Sequence, residues 1–180
     1  MLAEPHYFID LNTLIWLFPI IFIFHDLEEI ITIESSMATN KNRNPKTPFV
    51  EMTLTMRKKL GSTAAQLAVS ATWILLIITF TAITTAHFSD VWGFLLFTAI
   101  LHLFVFQASM HIIQSIMFKA YTPGIITSLI LLIPYSLLTY CLLAESGHLD
   151  WPFFFTSLPI SLVMIPVFLV GNLLGRYLIR

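Results

Sequence analysis

The five residues His25-Asp26-Leu27-Glu28-Glu29 bring one imidazole and three carboxylates into an otherwise apolar run. Spacings of three and four place His25, Glu28 and Glu29 on one side of a helix. Asp26 points about 100° away from His25, nearer the Glu29 edge. A second set follows later in the chain: Gln107, His111 and Gln114, at spacings of four and three, form one stripe that Ser115 extends. His102 precedes His111 by nine residues, about half a turn in angle on an ideal helix, so the two cannot readily serve one centre. His111 therefore takes the main role and His102 a secondary one.

Imidazole and carboxylate together are a ligand set for zinc, iron or manganese. In helix bundles, carboxylates and histidines three apart on inward faces build metal centres. The order here, His-x-x-Glu, is the reverse of the Glu-x-x-His of di-iron bundles. His25, Glu28 or Glu29, and His111 would supply three protein ligands and leave a fourth position for water. The glutamate not used as a ligand is then a candidate general base, which makes Glu28 and Glu29 the candidate catalytic residues. Asp26, Gln66, His102, Gln107, Gln114 and Asn172 are the expected surrounding polar residues.

These side chains sit in a chain built for lipid. Of 180 residues 57% are hydrophobic and 11% charged, against about 25% charged in ordinary soluble domains. A spanning helix needs about 20 predominantly apolar residues. Five stretches qualify, at roughly 11–33, 61–86, 91–118, 124–143 and 152–178, in a single helical domain over 1–180. The expected fold class is all-α, a polytopic membrane helix bundle. Pro134, Pro159 and Pro166 fall inside helices, where membrane bundles tolerate them. The connection 34–60 is read as a cytoplasmic loop, polar and turn-rich over 35–48. Its second half is read as an interfacial helix starting at Thr47-Pro48, with Phe49, Met52 and Met56 on one face.

All nine basic residues lie in the first loop, at Lys119, or at Arg176 and Arg180, the three segments that five spans place on one side. The positive-inside rule makes that side cytoplasmic and puts the N-terminus outside. The first apolar stretch has no positive region before it, so it reads as a retained helix and not a cleaved signal. A bacterial-type plasma membrane is the expected location. At about 1.5 Å per residue, Glu28, His111, Gln66, Thr127, Ser128 and Asn172 then share the cytoplasmic third of the bilayer, in one polar pocket.

Apart from Arg176 at the end of the last span, no Lys or Arg lies within a span to balance the three acids, and buried charges are paired, neutralised or metal-bound. Protons, a metal, a cationic substrate, or Arg57 or Arg176 from the rim are the possible partners. Bland readings stand beside the metal centre. The acids of the first helix can be a solvated, snorkelling end, His102 a packed core histidine, and Gln66, Gln107, Gln114 and Asn172 interhelical glue. One cysteine, Cys141, excludes an intrachain disulfide. No Gly-rich phosphate loop, Gly-x-Ser-x-Gly elbow or basic-aromatic surface is present, so nucleic acid and serine nucleophile chemistry have no support.

His25-x-x-Glu28-Glu29 on a first membrane helix resembles the defining motif of the HXXEE family of small multipass membrane proteins. His111 and the Tyr121-Thr122-Pro123-Gly124 turn are similar to the second half of that family, and they bring Tyr121 into the pocket set. The resemblance implies a role for His25, Glu28 and Glu29 and supplies no reaction. The leading expectation is a metal-dependent membrane enzyme, hydrolase-like, acting on a lipid-like or hydrophobic substrate from the inner leaflet. Its rivals are a proton- or cation-coupled small transporter, which at this length calls for a homo-oligomer, and a non-catalytic accessory or sensor protein. A pocket closed on the outer side favours the enzyme; a polar path through both leaflets favours transport.

Overall fold

The computed structural model describes residues 10–41, 51, 52, 55 and 63–179. Among these residues five long helices form and no strand does. They are α1 (Leu11–Lys41), α2 (Ala64–Phe88), α3 (Val91–Phe118), α4 (Ile125–Glu145) and α5 (Trp151–Leu178). Four of them, α2 to α5, are long and apolar enough to cross a membrane; α1, which carries the acidic cluster, is not among the four.

The expected end of the first helix is corrected. The chain stays helical eight residues past Ile33, to Lys41, into the stretch read as polar loop. Its hydroxyls explain how. Thr32, Ser35 and Thr39 each donate to a carbonyl three or four residues back, so the polar residues bond along the helix instead of breaking it. The expected interfacial helix lies outside the described residues apart from 51, 52 and 55, which are helical. Pro19 sits inside α1, and Pro159 and Pro166 inside α5. Pro134 follows a π-helical stretch, Ser128–Leu132, in which Ile133 N–H reaches back five residues to Ser128 O. A proline ring crowds the carbonyl one turn before it, and a widened turn relieves that clash.

α3 is the central helix: 56% of its most apolar window is buried, against 11% for α5, which shows most of its surface outward. Around α3 the core stacks aromatic rings. Phe18 packs edge-on against Phe97 and Phe104 and stacks on Tyr135, while Phe22 tilts against Phe104. α5 closes on α2 through small residues, with Gly171 against the Ser70 backbone and Gly175 against the Gln66 backbone.

α1 also organises its neighbours through acids. Glu34 accepts from the backbone N–H of Ala64 at 3.0 Å, the first residue of α2. Glu28 accepts from Ile126 and Thr127 in the first turn of α4. Helix N-termini present unpaired N–H groups and partial positive charge, and a carboxylate answers both. The two contacts also put the second half of α1 and the N-termini of α2 and α4 at one end of the bundle.

Candidate metal centre

His25 lies on the α1 face turned into the bundle and is fully buried. One turn on, Glu29 Oε1 sits 3.5 Å from His25 Nε2. From α3, His111 brings its Nε2 to 2.8 Å from the same oxygen. The two imidazole centroids are 5.0 Å apart at 68°. One donor atom from each of His25, Glu29 and His111 thus lies within 4.8 Å of the others. Two histidines and one carboxylate are a three-ligand set for zinc, iron or manganese.

The spacing is close to what a metal needs. Two ligands at ~2.1 Å from a tetrahedral ion stand about 3.4 Å apart. The His25–Glu29 separation of 3.5 Å fits that figure, while the His111–Glu29 pair at 2.8 Å is closer and must open slightly. His111 Nδ1 is buried without a hydrogen-bond partner among the described residues, an arrangement that costs about 1–3 kcal/mol.

The fourth wall is Gly124, which precedes α4 with φ +84°. A Cβ there would come within 2.9 Å of Glu29 Oε1, His111 Cε1 and His25 Cε1 at once. The turn therefore needs glycine twice, for its left-handed backbone and for the space beside the three ligands.

Glu28 does not join this group. Its Oε1 accepts from the Tyr121 hydroxyl at 2.7 Å and Ile126 N–H at 3.2 Å, and its Oε2 from Thr127 N–H at 2.7 Å and the Thr127 hydroxyl. Both oxygens are taken up by the turn and the start of α4, so Glu28, expected as a ligand or general base, lies outside the three-residue group and anchors α4. Tyr121, in the turn, is pushed up to about 12 by burial and then by its bond to Glu28. Thr127 also touches the group, with its Oγ1 2.8 Å from His25 Nδ1. Gln107 Nε2 is 3.3 Å from His25 Nε2, as its stripe with His111 leads one to expect.

The remaining candidates go elsewhere. Asp26 is half-buried beside Glu29, and Gln114 half-buried one turn past His111; neither belongs to the three-residue group. His102 bonds Tyr140 through Nδ1 and Ser157 through Nε2 at 2.8 Å, so it serves the packing of α3, α4 and α5. Gln66 donates to Ile179 O at 3.1 Å, and Asn172 accepts from Ser70 at 3.0 Å, both where α2 meets α5. The single pocket expected to gather Gln66 and Asn172 with the histidines is thereby corrected: the two amides hold the α2–α5 contact.

Gly124 is the site residue that sequence reasoning did not single out, and Thr127 was expected only as a pocket residue at that depth, without its contact to His25. Their signal was the Tyr121-Thr122-Pro123-Gly124 turn, which sets a helix start at the depth of His111. Thr122 is buried in the same turn, its hydroxyl 3.4 Å from His111 O.

Residues 16–139 match the family model described as a protein of unknown function with HXXEE motif. No curated protein and no solved structure matches the chain significantly.

Proposed function

The chain belongs to the HXXEE-motif family, and we propose that its motif, with His111, is the metal centre of a membrane-embedded hydrolase acting on a lipid-like substrate. The observation that carries this reading is the convergence of His25, Glu29 and His111 from two helices. A divalent ion held by these three residues would polarise a substrate oxygen and activate water. Glu29 serves as a ligand in this reading. The residues around it position and exclude: Gly124 keeps the approach open, and Gln107 offers a polar group beside His25.

Two features support a hydrolase over a carrier. Outward of His25, the rings of Phe18, Phe22, Phe97 and Phe104 fill the interior, a dry layer that a polar pathway would have to cross. Leu27 and Ile31 on α1 and Ile126 and Ile130 on α4 are exposed apolar side chains of the two helices that Glu28 joins. A hydrophobic substrate can approach Glu29, 19% exposed, along these side chains. In this reading α1 is a fifth span, its exposed Trp16, Ile20 and Phe24 facing lipid and its acids held inside.

Metal analysis by mass spectrometry on detergent-purified protein tests the proposal, with His111→Ala and Glu29→Gln variants of unchanged helical content alongside. Near-stoichiometric zinc, iron or manganese in the native chain, lost in both variants, is the expected result. A native chain that takes up none of the three after reconstitution would sink the metal centre. Protons or a cationic substrate would then be left to balance Glu29.

A further inference from the structure

The hydrogen bonds that run from Glu28 through Thr127 to His25 fix where the proton of His25 sits. Each oxygen of Glu28 accepts from a backbone amide, Oε1 from Ile126 and Oε2 from Thr127, and each also meets a hydroxyl, of Tyr121 and Thr127 respectively. An amide can only donate, and the hydroxyl oxygen of a protonated acid is a poor acceptor, so one amide on each oxygen fits the ionised form. The bond between Thr127 and Glu28 therefore uses the threonine proton. A threonine hydroxyl has one proton and two lone pairs. Only lone pairs remain on Thr127 Oγ1 for His25 Nδ1, 2.8 Å away, so Nδ1 must be the donor. On a neutral imidazole Nε2 is then unprotonated, and this is the atom that faces Glu29 and the Gln107 amide.

We propose that Glu28 and Thr127 are positioning residues: through one hydroxyl they hold His25 as the Nδ1–H tautomer and so present Nε2 as the metal donor. The use of that lone pair rests on the metal-centre reading; the tautomer itself does not. Histidine ligands commonly donate their other ring N–H to an outer partner, which sets ring orientation and ligand basicity. Here the outer partner is a threonine whose own orientation is set by a carboxylate on the same helix as the histidine. Glu28 thereby ties two tasks together. It anchors the first turn of α4, which carries Gly124 to the site, and it sets the tautomer of the residue three positions before it. This explains why the motif has two consecutive glutamates at different jobs, Glu29 turned to the ligands and Glu28 to α4.

The test is nitrogen-15 NMR on the full chain in lipid nanodiscs with labelled histidine, His25 being assigned from the signal lost in His25→Gln. Zinc affinity is measured beside it by chelator competition. The native chain should show His25 protonated at Nδ1 before zinc is added. Thr127→Val, nearly isosteric, should lose that preference and weaken zinc about 10–100-fold. Thr127→Ser, which keeps the hydroxyl, should restore both. A merely structural role for Thr127 would leave the tautomer unchanged. A native His25 protonated at Nε2, or a Thr127→Val chain with tautomer and affinity unaltered, overturns the proposal. If the tautomer behaves as stated but no variant binds zinc, iron or manganese, the metal-centre reading falls and the positioning of the His25 tautomer by Glu28 and Thr127 stands.

Discussion

At the scale of single residues, Gly124 is the position with least freedom. Its φ of +84° already disfavours a side chain, and a Cβ would sit 2.9 Å from three atoms of the site. Gly124→Ala should cost about 1–2 kcal/mol for the left-handed backbone alone. It should also remove bound metal, read by thermal unfolding and metal content. Full metal occupancy in that variant would mean that the cradle is not where the ion binds. Tyr121 offers a check from the other side of Glu28. Its hydroxyl is held protonated up to about 12 against an ordinary value of 10.0, so the folded state binds more protons across that interval. Its contribution to stability is fully present below about 10 and declines as pH rises through about 12. Absorbance titration of the native chain against Tyr121→Phe should show one tyrosine ionising late, and earlier ionisation in Glu28→Gln.

At the scale of elements, the N-termini of α2 and α4 each depend on an acid from α1. Losing a capping group costs about 0.5–2 kcal/mol. Glu28→Ala should therefore speed hydrogen exchange at the Ile126 and Thr127 amides and leave Ala64 alone. Glu34→Ala should do the reverse. If Glu28→Ala left the α4 amides protected, its carboxylate would not be the anchor assigned to it. The α2–α5 contact makes a different demand. A Cβ on Gly175 would meet the Gln66 backbone carbonyl, which cannot swing aside as a side chain can. Gly175→Val should push the helices apart at a cost of about 1–3 kcal/mol, with loss of the Gln66–Ile179 and Ser70–Asn172 bonds nearby. A melting temperature equal to that of the native chain would count against so close an approach.

At the scale of the whole molecule, the number of spans has a simple readout. Five spans put the two termini on opposite sides of the membrane, and four put them on the same side. With α1 spanning and the positive residues inside, a fluorescent reporter fused after Arg180 should be active on the cytoplasmic side, and one fused before Met1 should lie outside. Reporters on one side together would leave α1 as a helix packed into the bundle without crossing. The aromatic layer of Phe18, Phe22, Phe97 and Phe104 bears on the same question, because it gives α1 a core face deep in the apolar zone.

Composition, hydropathy and the period of polar residues determined a great deal by themselves. They marked five helices, with α3 at its observed limits, and placed His25, Glu28 and Glu29 on one stripe and Gln107, His111 and Gln114 on another. Helical spacing is a local property, so it survives without knowledge of neighbours. Local spacing has no view of which helix lies opposite which face. Glu28 and Glu29 are adjacent and chemically alike, and only the position of α4 decided that one caps a helix while the other meets two histidines. The same blindness gathered Gln66 and Asn172 into a pocket they do not enter, because equal depth fixes one coordinate along the bundle axis and leaves the other two free. It also passed over Gly124, whose importance is the space it leaves empty, a property that exists only once three side chains from two other helices converge on it.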